Sequence, residues 1–316
     1  IILFGGSSLN DIWEWDSTLG TWTNRTPSGT KPPERYGHTI EYNKETKKII
    51  LFGGDSSSAT CRTGTSNNSY CNDTWEWNGT TGTWTERTSS NINPSSRRFH
   101  SMTYDTNNSK IILFGGYDSK GMQQDIWEWD GLSGEWIDRT LNDLKPPARR
   151  FHNAIYNSVD RKLILFGGDN IPNRYDDLWE WDYETGVWSE RTQFEKKPSA
   201  RYGYTASYNS STKKLVLFGG NDESGIVQDT WELESHSESR PGQIMNTSLF
   251  FATGPNINIT SIKSVTGTFV SGGESYPSGI KTPGAKLMIW NGGIWKTVDV
   301  NDVTSENLIS DSENKT

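Results

Sequence analysis

Three of the four histidines, His38, His100 and His152, stand at one position of a recurring segment, RYGHTIEY, RRFHSMTY and RRFHNAIY, and Tyr204 takes that position in a fourth copy, RYGYTASY. Imidazoles bind metals and carry protons, so residues repeated around an axis could form a metal ring. A side chain present in every copy equally serves packing or hydrogen bonding that each copy needs for itself, and the repetition favours this second reading. Arginine recurs in the same way: Arg35, Arg97, Arg149 and Arg201 open the segment, and Arg25, Arg87, Arg139 and Arg191 follow a recurring tryptophan. A ring of guanidinium groups would suit a carboxylated ligand. Carboxylates recur alongside them, however, at Glu14, Glu76, Glu128 and Glu180 and at Asp11, Asp73, Asp125, Asp177 and Asp229. Structural ion pairs are therefore expected, not an acid and base set apart for catalysis. No phosphate loop or nucleophile motif is present, so no catalytic residue, metal or cofactor is assigned.

Cys61 and Cys71, the only cysteines, share one polar insertion, SSSATCRTGTSNNSYCN. Two thiols so close on a polar loop predict a local disulfide and with it an oxidising compartment, extracellular or at the cell surface. The alternatives are two unrelated exposed thiols, or a metal site that lacks a nearby His or third Cys. The 31 basic and 39 acidic residues give a net charge of -8 with neither sign gathered in a block, which argues against nucleic acid as a partner. No apolar run approaches the roughly 20 residues that span a bilayer. Ile1 already lies in a strand-like run, so the chain reads as truncated at its N-terminus.

The elements that must position these side chains repeat as well. Gly-Gly pairs occur at Gly5-Gly6, Gly53-Gly54, Gly115-Gly116, Gly167-Gly168 and Gly219-Gly220, at spacings of 48, 62, 52 and 52 residues, the longest of which contains the cysteine insertion. Each pair ends a run such as IILF, LILF or LVLF, apolar on both faces, which predicts a strand buried on both sides. The His-bearing segment ahead of it forms a hairpin with it through a short polar turn. After the pair come a loop of variable length, a strand DIWEWD, DTWEWN, DLWEWD or DTWELE, a Gly-containing turn, and a last strand such as TWTERT. The unit is four antiparallel strands.

A diglycine followed by two aromatics six residues apart between them, Trp15 and Trp22, Trp77 and Trp84, Trp129 and Trp136, Trp181 and Trp188, resembles the kelch repeat, although kelch units usually place Tyr first. The resemblance spans residues 1–235 and implies an all-β fold, a β-propeller of four-stranded blades, with about five of an expected six or seven blades present. Missing blades would be supplied by residues upstream; the alternative joins the two partial end blades into a smaller ring. Residues 236–245, around SESRPGQ, read as a linker. Residues 246–316, with TSLFFAT, SIKSVTGTFV and an Asn-Gly-Gly hairpin signal, read as an incomplete β-sandwich-like accessory domain. This part resembles the β-rich tails that follow kelch regions in some large bacterial surface proteins.

In such a blade the connections between strands two and three, and from strand four into the next blade, emerge on one face. There the loops at 55–72, 117–124, 169–176 and 221–228 differ in length and sequence, and irregular loops on a rigid scaffold are where binding residues concentrate. The candidates are Tyr70, Tyr117, Asp118, Lys120, Arg174, Tyr175 and Asp222. The expected function is a non-catalytic scaffold that binds a protein or glycan through this face. The alternative is a carbohydrate-modifying kelch enzyme, like the copper-radical galactose oxidases or the sialic-acid mutarotases. The oxidase pattern requires a Cys cross-linked to Tyr together with two His and another Tyr on copper, and neither cysteine is placed for that. A mutarotase would need an isolated acid or base near Arg, and none can be singled out.

Overall fold

The computed structural model describes residues 1–7, 9–57, 61, 69–88, 92–141, 144–191 and 196–234, and four short strands beyond them. The chain divides into two units, Ile1–Ser235 and His236–Thr316. Among the described residues there is no α-helix, and so none long and apolar enough to cross a membrane.

The first unit is a succession of five antiparallel sheets in a propeller arrangement. Blade 1 holds β1 (Ile2–Gly6), β2 (Leu9–Asp16) and β3 (Thr21–Asn24), and blade 2 holds β4 (Thr39–Asn43), β5 (Lys48–Phe52), β6 (Thr74–Asn78) and β7 (Thr83–Glu86). In blade 3 a short β8 (Arg97–Arg98) precedes β9 (Ser101–Asp105), β10 (Lys110–Asp118), β11 (Gly121–Asp130) and β12 (Glu135–Asp138). Blade 4 contains β13 (Asn153–Asn157), β14 (Lys162–Phe166), a small β15 (Asp169–Asn170) and β16 (Asn173–Arg174) hairpin, β17 (Leu178–Asp182) and β18 (Trp188–Glu190). Blade 5 is β19 (Thr205–Asn209), β20 (Lys214–Asp222) and β21 (Gly225–Glu234).

The doubly apolar runs form the second strand of each blade because both their faces are covered. Ile49, Ile50, Leu51 and Phe52 are 8%, 0%, 0% and 0% exposed. Among the described residues four apolar clusters each lie between two blades: Phe4 and Ile12, for example, pack on Leu51, Trp75, Trp77 and Trp84 of the next. The paired tryptophans sit directly opposite across strands three and four, Trp77 on Trp84 and Trp129 on Trp136. The Glu between the two tryptophans of strand three takes the other side, and Glu76 is paired there with Lys48 and Arg87.

At the ends of the series the apolar faces are uncovered. Leu3 is 54% exposed, whereas its counterparts Leu51, Leu113, Leu165 and Leu217 are at most 4% exposed. Phe218 is 51% exposed, against at most 5% for Phe4, Phe52, Phe114 and Phe166. Blades 1 and 5 therefore do not bury these faces against one another, as a smaller closed ring would require.

The diglycine follows from two close approaches. The first glycine adopts φ of +62° at Gly115, and a Cβ there would lie 2.9 Å from the Arg149 carbonyl of the next blade. At the second, Gly116, φ is +98° and a Cβ would meet His100 Cβ of the same blade at 2.9 Å.

In the second unit β22 (Phe269–Ser271) pairs with β23 (Glu274–Tyr276), and β24 (Lys286–Asn291) pairs with β25 (Ile294–Asp299). Asn291 stands opposite Ile294, which is the hairpin that Asn-Gly-Gly predicts. The linker 236–245, the run TSLFFAT and the packing of a sandwich lie outside the described residues.

Gly20 has φ of +66° with nothing within 4 Å of a Cβ, which makes it a control matched in backbone to Gly115. Gly20→Ala should cost only the ~1–2 kcal/mol of a left-handed alanine. Gly115→Ala should cost about 1–3 kcal/mol more, through the added overpacking. Equal losses in denaturant unfolding would show that the blade contact does not require glycine.

Candidate functional site

The recurring polar residues are consumed by the scaffold. Arg97 is 1% exposed and donates from Nη1 and Nη2 to both oxygens of Asp125, each at 2.6 Å. Its other N–H groups reach the Gly115 carbonyl at 2.8 Å and the Ser95 carbonyl and hydroxyl at 3.1 and 2.8 Å. All five guanidinium donors are satisfied. Asp125 also accepts the Trp127 indole N–H at 2.7 Å. Arg35 with Asp73, Arg149 with Asp177 and Arg201 with Asp229 repeat the bidentate pairing, and the hydrogen bond from Arg201 holds the Asp229 carboxyl down at about 2. The other arginine series pairs with the glutamates: Arg25 with Glu14, Arg87 with Glu76, Arg139 with Glu128 and Arg191 with Glu180.

His100 and His152 are buried between blades and His38 is partly buried there, so the hydrogen bonding they supply joins neighbours and is not internal to each copy. His38 Nε2 lies 3.2 Å from the Phe4 carbonyl of the preceding blade. His100 Nε2 contacts the Thr39 hydroxyl at 2.7 Å, and His152 Nε2 contacts the Ser101 hydroxyl at 2.9 Å and the Phe114 carbonyl at 3.2 Å. Tyr204 donates its hydroxyl to the Phe166 carbonyl in the same role. Burial, helped by the neighbouring arginine, lowers His38 to about 4 and His152 to about 3 and takes His100 well below its ordinary value. Among the described residues no three His, Cys, Asp or Glu side chains are grouped to hold a metal. Cys61 and Cys71 are bonded to each other.

A different cluster forms where the variable loops meet the segment just after each buried arginine. The two connections do share a face: Tyr36 bridges to Asp55, Arg98 pairs with Tyr117, Arg150 bridges to Asp169 and Tyr202 to Asn221. Arg97 and Arg98 are neighbours on one short strand, so one side chain points inward and the next outward. Arg98 Nη1 donates to Asp55 and to the Tyr36 hydroxyl, both at 2.7 Å. Its guanidinium lies 4.8–5.8 Å from the ring centres of Phe99, Tyr70, Tyr117 and Tyr36, within cation–π range. Asp55 accepts further bonds from the Tyr36 hydroxyl at 2.8 Å and from the Ser69 hydroxyl. Arg150 continues the row, 5.0 Å from Phe151 and 5.7 Å from Tyr117, and is paired with Asp169. Arg174 stacks 5.2 Å over Tyr202. Burial raises the Tyr36 and Tyr70 phenols, so both remain protonated donors at neutral pH.

The floor of this cluster is built from strained residues. Phe99 and Phe151 adopt φ of +58° and +53°, where the equivalent positions are Gly37 and Gly203. Left-handed backbone costs a bulky residue ~1–2 kcal/mol. Their rings stack with centres 4.0 Å apart, and Phe99 lies over Gly37, where a Cβ would come within 2.7 Å of it. Main-chain bonds from Phe99 N to Gly37 O, Phe151 N to Phe99 O and Gly203 N to Phe151 O link four blades beneath the rings.

Of the loop candidates, Tyr70 and Tyr117 are brought together, with centres 5.9 Å apart, and Arg174 lies on the same face. Asp118 is 2% exposed and accepts from Ser95 Oγ, Gln123 Nε2 and the Lys120 N–H; it caps its own turn. Asp222 does likewise with Ser199 and Ser224, and these bonds hold its carboxyl at about 2. Lys120 is exposed at that turn. Tyr175 covers the buried Arg149, 4.2 Å from its guanidinium. Missing from the sequence candidates were Tyr36, Arg98, Phe99, Arg150, Phe151 and Tyr202. The signal for them is the departure of Arg-Arg-Phe from Arg-Tyr-Gly inside the repeat.

A family profile described as the KLHDC2/KLHL20/DRC7 Kelch-repeats domain matches residues 1–156 and 61–239. The chain is similar to the leucine-zipper-like transcriptional regulator 1 homolog of Drosophila melanogaster, 26% identical over 245 residues that cover 72% of this chain and 24% of that protein. It is also similar to multiple epidermal growth factor-like domains protein 8 of Mus musculus, 28% identical over 40% of this chain and 5% of that protein. Acyl-CoA-binding domain-containing protein 5 of Arabidopsis thaliana is 31% identical over 36% of this chain and 18% of that protein. The matched region spans about a quarter or less of each of these relatives.

Because His38 and His152 are neutral when folded and ionise when unfolded, their stabilising contribution is full above about pH 6.5 and falls as pH drops, down to about 4 for His38 and about 3 for His152. Each should contribute up to ~1.4 kcal/mol per pH unit across that window. His152→Tyr, which copies Tyr204, should fold and should show a shallower loss of stability between pH 6.5 and 4 in urea titrations.

Proposed function

The chain belongs to the kelch-repeat family, and on that premise we propose that it is a protein-interaction scaffold whose variable-loop face holds the partner. The observation that carries this reading is the pair Phe99 and Phe151. Glycine performs the same backbone task at positions 37 and 203, so the strained phenylalanines are retained for what their rings present. Around them stand Arg98, Arg150, Tyr36, Tyr70 and Tyr117, residue types that dominate binding energy at protein interfaces. The guanidinium groups are matched by Asp55 and Asp169, which favours a partner met through stacking and hydrogen bonds over one held by net charge. The half-buried tyrosines also suit the flat faces of sugars, and a glycan is the finer alternative. The Cys61–Cys71 disulfide supports placement in an oxidising compartment, extracellular or at the cell surface.

Panning a random peptide display library on the whole chain, with a glycan array as the second arm, tests the assignment. Selected ligands should lose at least about tenfold in affinity with Arg98→Ala or Tyr117→Ala. They should be unaffected by Lys44→Ala or Glu184→Ala in the hairpin turns of the opposite face. The reverse pattern would place binding on that other face, and hits confined to the array would select the glycan reading.

A further inference from the structure

Four rings run in a row along the variable-loop face, one from each of blades 2 to 5. Tyr36 and Phe99 have centres 6.1 Å apart, Phe99 and Phe151 4.0 Å, and Phe151 and Tyr202 5.8 Å. Tyr36 is 40% exposed and the other three are half-buried, so part of each ring is left for a ligand.

The hydrogen-bonding groups along this row are unequal. Its carbonyls are taken: Gly37, Phe99 and Phe151 accept the main-chain N–H groups of Phe99, Phe151 and Gly203. Its carboxylates are buried, Asp55 against Arg98, Tyr36 and Ser69, and Asp169 against Arg150. The donors are not used up. Arg150 bonds through Nε, and among the described residues its two terminal nitrogens, the whole Arg174 guanidinium and the hydroxyls of Tyr117 and Tyr202 have no acceptor.

A partner that complements such a surface brings acceptors and flat apolar groups but few N–H or O–H groups, because a donor pressed there loses its water and gains no acceptor. Proline has no main-chain N–H, and the polyproline II helix makes no internal hydrogen bonds, so its carbonyls are free to accept. Sugars bring a donor with each hydroxyl. An acidic peptide meets three arginines of which two, Arg98 and Arg150, are already neutralised by Asp55 and Asp169.

We propose, on the reading that this face holds the partner, that the row recognises a proline-rich segment in the polyproline II conformation. Pyrrolidine rings lie on Phe99, Phe151 and Tyr202, and the segment's carbonyls accept from Arg150, Arg174 and the two free phenols. A polyproline II helix advances about 3.1 Å per residue, so the three ring-to-ring steps accommodate about five residues. The preformed helix loses little chain entropy on docking.

The test uses the whole chain and three fluorescein-labelled decamers: proline, alternating glycine and serine, and glutamate. The anisotropy of the proline decamer should rise saturably, and that of the other two should not. Phe151→Gly copies Gly37 and Gly203, so it keeps the backbone and removes one ring; with its fold checked by circular dichroism, it should bind the proline decamer at least about tenfold more weakly. Tyr202→Phe removes one hydroxyl and should weaken binding about fivefold. Absence of saturable proline binding, equal binding of either other decamer, or proline binding unchanged by both variants overturns the proposal. Peptides selected by panning separate this result from the wider reading. If they respond to Arg98→Ala and Tyr117→Ala while the proline decamer fails, the face stands and the proline assignment falls; if they do not respond either, both fall.

Discussion

The structure depends on one buried arginine in each of blades 2 to 5, fixed at both its ends. The carbonyl of Arg97 accepts the N–H of Gly54 from the preceding blade at 2.8 Å, and its guanidinium holds the Gly115 carbonyl of its own blade at 2.8 Å. Arg149 repeats this between Gly116 and Gly167, and Arg201 between Gly168 and Gly219. A series of arginine and diglycine contacts therefore runs from blade to blade. Buried ion pairs contribute little net stability unless every donor is satisfied; here the fork geometry satisfies them and fixes where the second strand of each blade leaves the sheet. The loops that follow start from set positions, whatever their own length.

This constraint accounts for the neighbouring choices. Glycine is needed where the arginine backbone crosses closely, the aspartate is needed to neutralise the guanidinium, and the indole N–H completes the aspartate. The buried imidazole or phenol beside the diglycine then ties the same crossing to the preceding blade. Their repetition follows from the need to build one interface several times.

The fold was legible because burial on both faces leaves continuous apolar strands and because equal units recur at nearly equal spacing. The inter-blade role of His38, His100 and His152 was not, since a residue present in every copy looks the same whether it serves its own blade or the one before. The face was legible in part. Tyr70 and Tyr117 stand out in irregular loops, but Arg98 and Arg150 sit beside the structural arginines and look like more of the same. Only strand alternation separates them, by sending Arg97 into the blade and Arg98 toward the loops. Asp118 and Asp222 misled in the opposite direction: they lie in variable loops, yet their oxygens are taken up by turn donors. The sandwich expected after residue 245 depends on long-range packing, which local strand signals do not encode.

Native-state hydrogen exchange on Arg149→Lys tests most directly whether this arginine sets the loop positions. Lysine keeps the charge and removes the fork. Exchange should quicken at Gly116, Gly167, Gly168 and the loop at 169–176, with the amides of Ile49–Phe52 in blade 2 unchanged. Unaltered protection around the diglycines, or a uniform acceleration across all blades, would contradict it.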